Sequence, residues 1–485
     1  MEQPNILLVV LDTARAEAVI DRPDVTPNIH EIASEGTTFS NAFTTAPWTL
    51  PSHASMFTGQ YTSDHGTHAG TKRFDPDVPT VAERLQSNGY QTVAFSNNTW
   101  VSPEFGFDRG FEEFNVGWQL FDGGADLARI AKEKQGVVDQ SRAVGKKLFR
   151  RDGYKTLCNA LYTQFLRKRY DDGAWMTNKR VKWWFDKTRD ENRPFFMFIN
   201  YLEPHLEYHP PRKFREQFLP DGVDWSDAQS VNQDAWAYIA GNVDMDEEDF
   251  EILRGLYLAE LRYLDHRIGQ LWTRMESQGV ADETALIIVG DHGENLGEHG
   301  LMDHQYCLYD TLIHVPLVVR YPELFEAGTR NEGLVELRDL YPTMLDIADI
   351  DGSTEEDLSA NSIANDDQTR EHIIAEYVTP QPSMNALESR VGESSEIYQY
   401  DRGLRCLRTP DWKYIEGTDG STTLYNVSND PDEQIDVSGS NADTHIKLKT
   451  RLEGRDGKIR QIEGQTATGM KKKTQQRLED LGYLQ

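Results

Sequence analysis

The sequence predicts an α/β fold on a mainly parallel sheet, and three observations carry that expectation. Short continuous apolar runs recur along the chain, helical patterns fall between them, and one such run leads straight into an aspartate, another into Gly-Asp-His. Strands covered by helices on both faces read as unbroken apolar runs rather than alternating ones. In such sheets ligand-binding residues gather at the carboxyl ends of strands.

Ile6–Leu11 is the first run and delivers Asp12. Thr26-Pro27 marks a cap with proline at the first helical position; Ile29, Ile32 and Ala33 share a face, and Gly36 is expected to stop that helix. Val81–Leu85 reads as a helix ended by Gly89, and Thr92–Phe95 as the next strand. Phe195–Ile199 is a further strand, Phe250–Gln278 a long amphipathic helix, and Ala285–Val289 a strand ending at Gly290-Asp291-His292. Beyond a polar stretch around 350–370, Glu371–Tyr377, Leu404–Leu407, Lys413–Ile415 and Thr423–Tyr425 read as antiparallel strands, followed by a helix from about His445.

Eighty acidic against fifty basic side chains leave a net charge of −30, which argues against a nucleic-acid binder because phosphate contacts need Lys and Arg. A hydrophobic fraction of 38% excludes a disordered acidic chain, and so acidic a surface fits a halophilic source. Three scattered cysteines (Cys158, Cys307, Cys406) suit a reducing compartment. With no signal-peptide pattern and no apolar run of membrane-spanning length, a cytoplasmic location without stable membrane insertion is expected. Leu127–Tyr170 breaks the acidic trend with twelve basic residues against three acidic ones, a basic insertion that caps the site and draws in an anionic substrate, binds an acidic surface such as lipid headgroups, or pairs with the acidic remainder.

Asp12 and Asp291-His292 at strand ends, with His299 and His304 in the glycine-rich loop that follows, suggest a metal site. Mixed oxygen and imidazole donors suit Mn, Zn, Fe or Ca. Thr49 is expected just before a helix that starts near Pro51. It reads either as a capping residue or as a hydroxyl aimed at an anion on the helix N-terminus.

Beyond these readings, the chain resembles the sulfatase branch of the alkaline phosphatase superfamily. The resemblance rests on an ordered series: Asn5 through Asp12 to Arg15; Thr49-Leu-Pro51-Ser52-His53 to Thr58-Gly59; Tyr61 to His65-Gly66; Gly89-Tyr90; Phe105 to Phe111; and Pro204-His205. It continues through Tyr263 to Gly269, Asp291-His292-Gly293-Glu294, Gly297-Glu298-His299-Gly300, His314 to Leu317, Asp339 to Thr343, Lys413-Tyr414, Leu424-Tyr425, Asp430 to Glu433 and Leu481 to Leu484. It implies an alkaline phosphatase-like fold, with residues 1–368 as the catalytic domain carrying a basic insertion at about 118–170, and 369–485 as a smaller antiparallel subdomain. It also implies a divalent metal ion (Mn, Zn or Ca) on Asp12, Thr49, Asp291 and His292, and a covalent intermediate at position 49.

The departures shape the expected chemistry. Members of the family carry Cys or Ser, converted to formylglycine, where this chain has Thr49, and an Arg where it has His53. A formylglycine hydrate expels sulfate with its second hydroxyl, whereas a threonine ester requires an attacking water. The site therefore resembles threonine-nucleophile members acting on phosphate esters. That resemblance implies Thr49, His205 and His304 as catalytic residues and Asn97, Asn98, His53 and Arg15 as substrate-binding ones. It also implies a second metal among His205, His209, His299 and His304. The expected function is hydrolysis of a small anionic ester, phosphate (including phosphodiester) favoured over sulfate, with a phosphotransferase or a non-catalytic anion-binding relative as alternatives and the oligomeric state open.

Overall fold

The computed structural model describes residues 3–117, 171–351, 360–364, 370–392 and 397–456. The basic segment 127–170, Cys158 and the Leu481–Leu484 motif lie outside the described residues. In chain order the strands are β1 (Asn5–Leu11), β2 (Thr37–Phe43), β3 (Gln91–Ser96), β4 (Glu113–Val116), β5 (Phe195–Tyr201), β6 (Thr284–Gly290), β7 (Asn295–Leu296), β8 (Met302–Asp303), β9 (His314–Arg320), β10 (Thr329–Glu336), β11 (Ile373–Tyr377), β12 (Leu404–Arg408), β13 (Lys413–Gly417) and β14 (Thr422–Tyr425).

Eight of them form one sheet in the order β10-β2-β9-β6-β1-β5-β3-β4. Its central strands β1, β5 and β6 are buried along their whole length, which is why they read as unbroken apolar runs. Only β9 runs against its neighbours, antiparallel to both β2 and β6. Strands β11–β14 form a separate antiparallel sheet in sequential order. The fold is therefore alkaline phosphatase-like: a large, mostly parallel sheet with helices, plus a small C-terminal antiparallel sheet.

The helices follow their predicted places with local corrections. The long helix spans Glu247–Ser277 and starts one turn early, because Asp246 and Asp249 form a reciprocal capping box. Thr26 does sit at the N-cap of the Pro27–Ala33 helix, but its hydroxyl donates to Val19 O at 2.7 Å. The capping acceptor comes instead from the long helix, where Asp265 receives Ile29 N at 2.8 Å and Asn28 Nδ2 at 2.5 Å. That helix ends at Ala33, before Gly36; Gly36 is required by close packing, since a Cβ there would lie 2.4 Å from Val319 O. Among the described residues no helix is long and apolar enough to cross a membrane.

Two buried networks explain motifs away from the Asp12 and Asp291 strand ends. Lys413 Nζ lies 2.8 Å from both Asp310 Oδ1 and Glu433 Oε1, with Arg408 Nε 3.0 Å from Asp310 Oδ2. This network ties β12 and β13 to the short helix Asp310–Ile313 before β9. His65 accepts Thr67 N on Nδ1 at 3.0 Å, so its Nε2 carries the proton and donates to Ser55 Oγ at 3.2 Å.

Truncation of Lys413 to Ala strands the buried Glu433 carboxylate and leaves Asp310 with Arg408 alone, and urea denaturation is expected to show a loss of about 3–5 kcal/mol. Burial, reinforced by the neighbouring His68, pushes His65 down to about 3. The unfolded chain binds that proton near pH 6.5 while the folded chain does not, so His65 opposes folding increasingly as pH falls below 6.5. Urea midpoints are expected to report about 2 kcal/mol lost from this group at pH 5 relative to pH 7.5, and a smaller loss in His65→Gln.

Candidate active site

Adjacent parallel strands bring the two aspartates together. Leu11 pairs with Gly290, so Asp12 and Asp291 emerge side by side from the carboxyl ends of β1 and β6, both fully buried. The chain turns sharply after Asp12 because Thr13 takes a left-handed φ of 60°. For a β-branched residue this strain costs about 1–3 kcal/mol. It is offset by two hydrogen bonds: Thr13 N donates to Asp291 Oδ1 at 3.2 Å, and Tyr257 Oη donates to Thr13 O at 2.9 Å.

His292 is oriented by its own backbone. Its Nδ1 lies 2.9 Å from Gly293 O, a pure acceptor, so Nδ1 carries the proton and Nε2 presents a lone pair. That lone pair faces Thr49 Oγ1 at 3.2 Å, Asp291 Oδ2 at 3.5 Å and Asp12 Oδ1 at 3.7 Å.

Thr49 is the first residue of the Thr49–Thr58 helix rather than the residue before it, because extended Trp48 serves as N-cap. Ser52 Oγ donates to Asp291 O at 2.7 Å and pins this helix to the end of β6. Asn98, just beyond β3, donates through Nδ2 to Asp12 Oδ2 at 2.5 Å and to Thr49 Oγ1 at 3.3 Å. Its own placement is fixed by Asn98 N to Asn200 Oδ1 (3.2 Å) and by Trp100 N to Asn98 Oδ1 (2.8 Å).

The residues present fit a divalent cation. Asp12 Oδ1 and Asp291 Oδ2 are buried with no hydrogen-bond partner, and both face the His292 lone pair. Without a cation, burial pushes Asp12 up to about 7 and, joined by the charge of Asp12, drives Asp291 well above the carboxylate range. The donor atoms of Asp12, Asp291 and His292 lie within 4.8 Å of one another. Two carboxylates and an imidazole make a mixed oxygen and nitrogen donor set for a divalent cation, and the hydroxyl of Thr49 adjoins them.

A second cluster comprises His205, Asp303 and His304, whose donor atoms also lie within 4.8 Å of one another. The His304 ring stands 4.5 Å from that of His292 and 5.1 Å from that of His205, centroid to centroid. Burial opposes charge on His304, yet its contact with Asp303 and the nearby Glu294 hold its pKa well above the usual histidine range. His205, buried beside that cation, is pushed down to about 4. Asp303 holds a left-handed φ of 71°, a second strained residue at the site.

Four predicted residues lie elsewhere. Asn97 points away from Thr49, accepts Thr177 Oγ1 at 3.1 Å and packs against Gly117 and Gly173, because neighbours at a strand end face opposite sides. His209 is exposed and its Nε2 lies 3.5 Å from Glu207. His299 stacks on Tyr309 with centroids 3.6 Å apart, in the turn that leads toward the C-terminal sheet. Arg15 is held in ion pairs with Glu298 at 2.7 Å and Glu17 at 2.9 Å. His53 is buried and neutral, pushed down to about 4 by burial, and donates from Nδ1 to Thr49 O at 2.8 Å. Asp303, Glu294, Asn200 and Tyr257 join the site without having been singled out; only Asp303, directly before His304, and Glu294, within the Asp-His-Gly-Glu motif, carried a visible sequence signal.

This arrangement places the chain among metal-centred hydrolases with strand-end carboxylates. The family model described as Sulfatase matches residues 4–350, and the chain belongs to the sulfatase family. Arylsulfatase K of Bos taurus is 23% identical over 93% of this chain and 81% of its own length. An arylsulfatase of Clostridium perfringens is 24% identical over 72% of this chain and 75% of its own. Among solved structures, phosphonate monoester hydrolase of Silicibacter pomeroyi superposes with a TM-score of 0.67 at 19% identity, covering 96% of this chain and 97% of that one. An enzyme in complex with its substrate D-glucosamine-2-N,6-O-disulfate superposes with a TM-score of 0.65 at 19% identity over 93% and 97% of the two chains.

The two asparagines are expected to separate in steady-state assays. Asn98→Ala should lower kcat/KM by about 10²–10³, the range for losing one donor at a reacting centre, while Asn97→Ala leaves kcat/KM nearly unchanged.

Proposed function

We propose that the protein hydrolyses a small anionic ester through a covalent intermediate on Thr49, with phosphoric esters preferred over sulfuric ones. The observation that carries this reading is the convergence of Thr49 Oγ1, the His292 lone pair and Asn98 Nδ2 beside two partnerless carboxylate oxygens. Asp12, Asp291 and His292 would hold a divalent cation, whose charge would lower the pKa of the Thr49 hydroxyl and offset charge on the transferring group.

In this scheme Thr49, having lost its proton to solvent, attacks the phosphorus or sulfur atom. A bond from Oγ1 forms as the bond to the leaving oxygen breaks. Asn98 Nδ2 donates to an equatorial oxygen. His304, kept protonated by Asp303, gives its proton to the leaving oxygen, and His205, neutral, orients that oxygen. Water then attacks the Thr49 ester and gives one proton to His304; the bond to Thr49 Oγ1 breaks as the inorganic anion leaves, and Oγ1 takes a proton back from solvent. A threonine ester has no second hydroxyl with which to expel sulfate, and this supports the preference for phosphorus. A reducing, cytoplasmic setting is proposed with it, in keeping with Cys307 and Cys406 being free and buried.

The test is turnover of aryl phosphate monoester, phosphodiester, phosphonate monoester and sulfate by protein loaded with Mn, Zn, Ca or Mg. Thr49→Ala is expected to abolish turnover while retaining the metal, and His292→Ala to lose metal by elemental analysis. Full metal-dependent turnover by Thr49→Ala would sink the scheme. Turnover confined to the sulfate would reverse the preference. An Asp303→Asn variant that loses a second equivalent of metal would mark the His205, Asp303 and His304 cluster as a metal site rather than a proton donor.

A further inference from the structure

A lysine without an acidic partner among the described residues lies over Trp100, a ring that packs against the residue preceding Thr49. Lys72 is partly buried, and its Nζ lies 5.2 Å from the centroid of the Trp100 ring. Burial alone pushes its ammonium down to about 8, with no neighbouring charge contributing. Among the described residues no carboxylate forms an ion pair with it. In a chain with thirty more acidic than basic side chains, a half-buried lysine without an acidic partner is unexpected.

Its position is built rather than incidental. The turn that delivers it is closed by His68 N to Thr71 O (3.3 Å) and Thr71 N to His68 O (2.9 Å), with Gly70 N donating to His68 Nδ1 at 3.1 Å. Phe74 N then donates to Phe105 O at 2.7 Å, fixing the chain on the other side of Lys72. The Trp100 ring beneath the ammonium links to the site twice. It meets Trp48, the residue before Thr49, edge-on at 5.7 Å, and its backbone N–H holds Asn98 Oδ1 at 2.8 Å. Asn98 in turn donates to Thr49 Oγ1. An aromatic face stabilises an ammonium modestly and leaves its N–H groups unspent on other acceptors.

We infer that Lys72 is an anion-binding residue of the active site, supplying the counter-charge for the tetrahedral oxyanion of the substrate on the Trp48 and Trp100 side of Thr49. The inference rests on Thr49 being the reacting centre, and it assigns the charge that a family arginine would bring, and that buried, neutral His53 cannot, to a residue 23 positions beyond the nucleophile. Lys72 takes no part in holding the cation, so its loss should leave the metal in place.

The test titrates metal-loaded, full-length protein with inorganic phosphate and, separately, inorganic sulfate by calorimetry, for wild type, Lys72→Met and Lys72→Arg. The expected result is binding weakened about 10- to 100-fold in Lys72→Met, the range of one charge-assisted contact, and within about threefold of wild type in Lys72→Arg, at unchanged metal content. If only the phosphate arm weakens, the residue serves a phosphoric ester; if only the sulfate arm weakens, a sulfuric one. With a turned-over ester, the loss is expected mainly in KM. Unaltered affinity for both anions in folded, metal-loaded Lys72→Met overturns the inference. Because anion binding is read without turnover, a failed Thr49 scheme and a failed Lys72 assignment give different results.

Discussion

Two carboxylates buried side by side set the terms for everything around them. Asp12 and Asp291 leave adjacent strands in register, and nothing in their covalent geometry lets them separate. At a separation of roughly 4 Å and an effective dielectric near 20, two such charges repel by about 4 kcal/mol. The surrounding residues do not relieve that repulsion by donating to every oxygen. Thr13 N and His292 N occupy Asp291 Oδ1, and Asn98 occupies Asp12 Oδ2, which leaves one oxygen of each aspartate aimed at the same point as the His292 lone pair. A strained Thr13, a backbone-fixed imidazole and a serine pinning the nucleophile helix all make sense as means of holding acceptors, not donors, around one spot. A divalent cation satisfies such a spot.

A division between two histidines follows from the same logic one layer out. His304 and His205 are both buried, and burial alone would leave both neutral. Asp303 and Glu294 reverse the outcome for His304, and the resulting cation then depresses His205 further. The pair thus reaches opposite protonation states with its rings 5.1 Å apart and His304 4.5 Å from His292, centroid to centroid. Asp303 reaches His304 from a left-handed backbone conformation, so the strain stored there is spent on holding a protonated imidazole beside His292.

How much of this could be read beforehand depends on how each element is buried. Strands β1, β5 and β6 are buried on both faces and announce themselves as apolar runs, and their ends gave Asp12, Asp291 and His292 directly. Strand β2, Thr-Thr-Phe-Ser-Asn-Ala-Phe, is half-exposed and rich in polar residues, so hydrophobicity alone passes it over. Strand β10 has the same character. The asparagine pair shows the limit at the level of single residues. The resemblance implies an amide near the nucleophile, but only the path of the chain just beyond β3 decides that Asn98 faces it and Asn97 does not. The histidines of the glycine-rich loop divide for a similar reason: His299 sits in a turn that carries it toward Tyr309, while His304 follows the two-residue strand β8 back to the centre. Lys72 was illegible for another cause, since what distinguishes it is the absence of a partner, which no spacing reveals.

The acidic surplus and the anionic substrate class are reconciled by distance. A net charge of −30 spread over the surface repels an approaching anion, but at physiological ionic strength that field is screened over about 8 Å. Inside the site screening is weak, and a small number of fixed groups decide the local potential. Neutral His53 adds nothing there, and Arg15 is already committed to Glu17 and Glu298. The positive charge available to an oxyanion would therefore come from a cation held by Asp12, Asp291 and His292, from protonated His304, from the amides of the Thr49 helix and from Lys72. Of these, the cation would be largely spent on the two aspartates and His304 on Asp303. A lysine kept free of carboxylates by an aromatic ring is then the one protein charge whose full value remains for the substrate, and in so acidic a chain keeping it unpaired is the harder requirement.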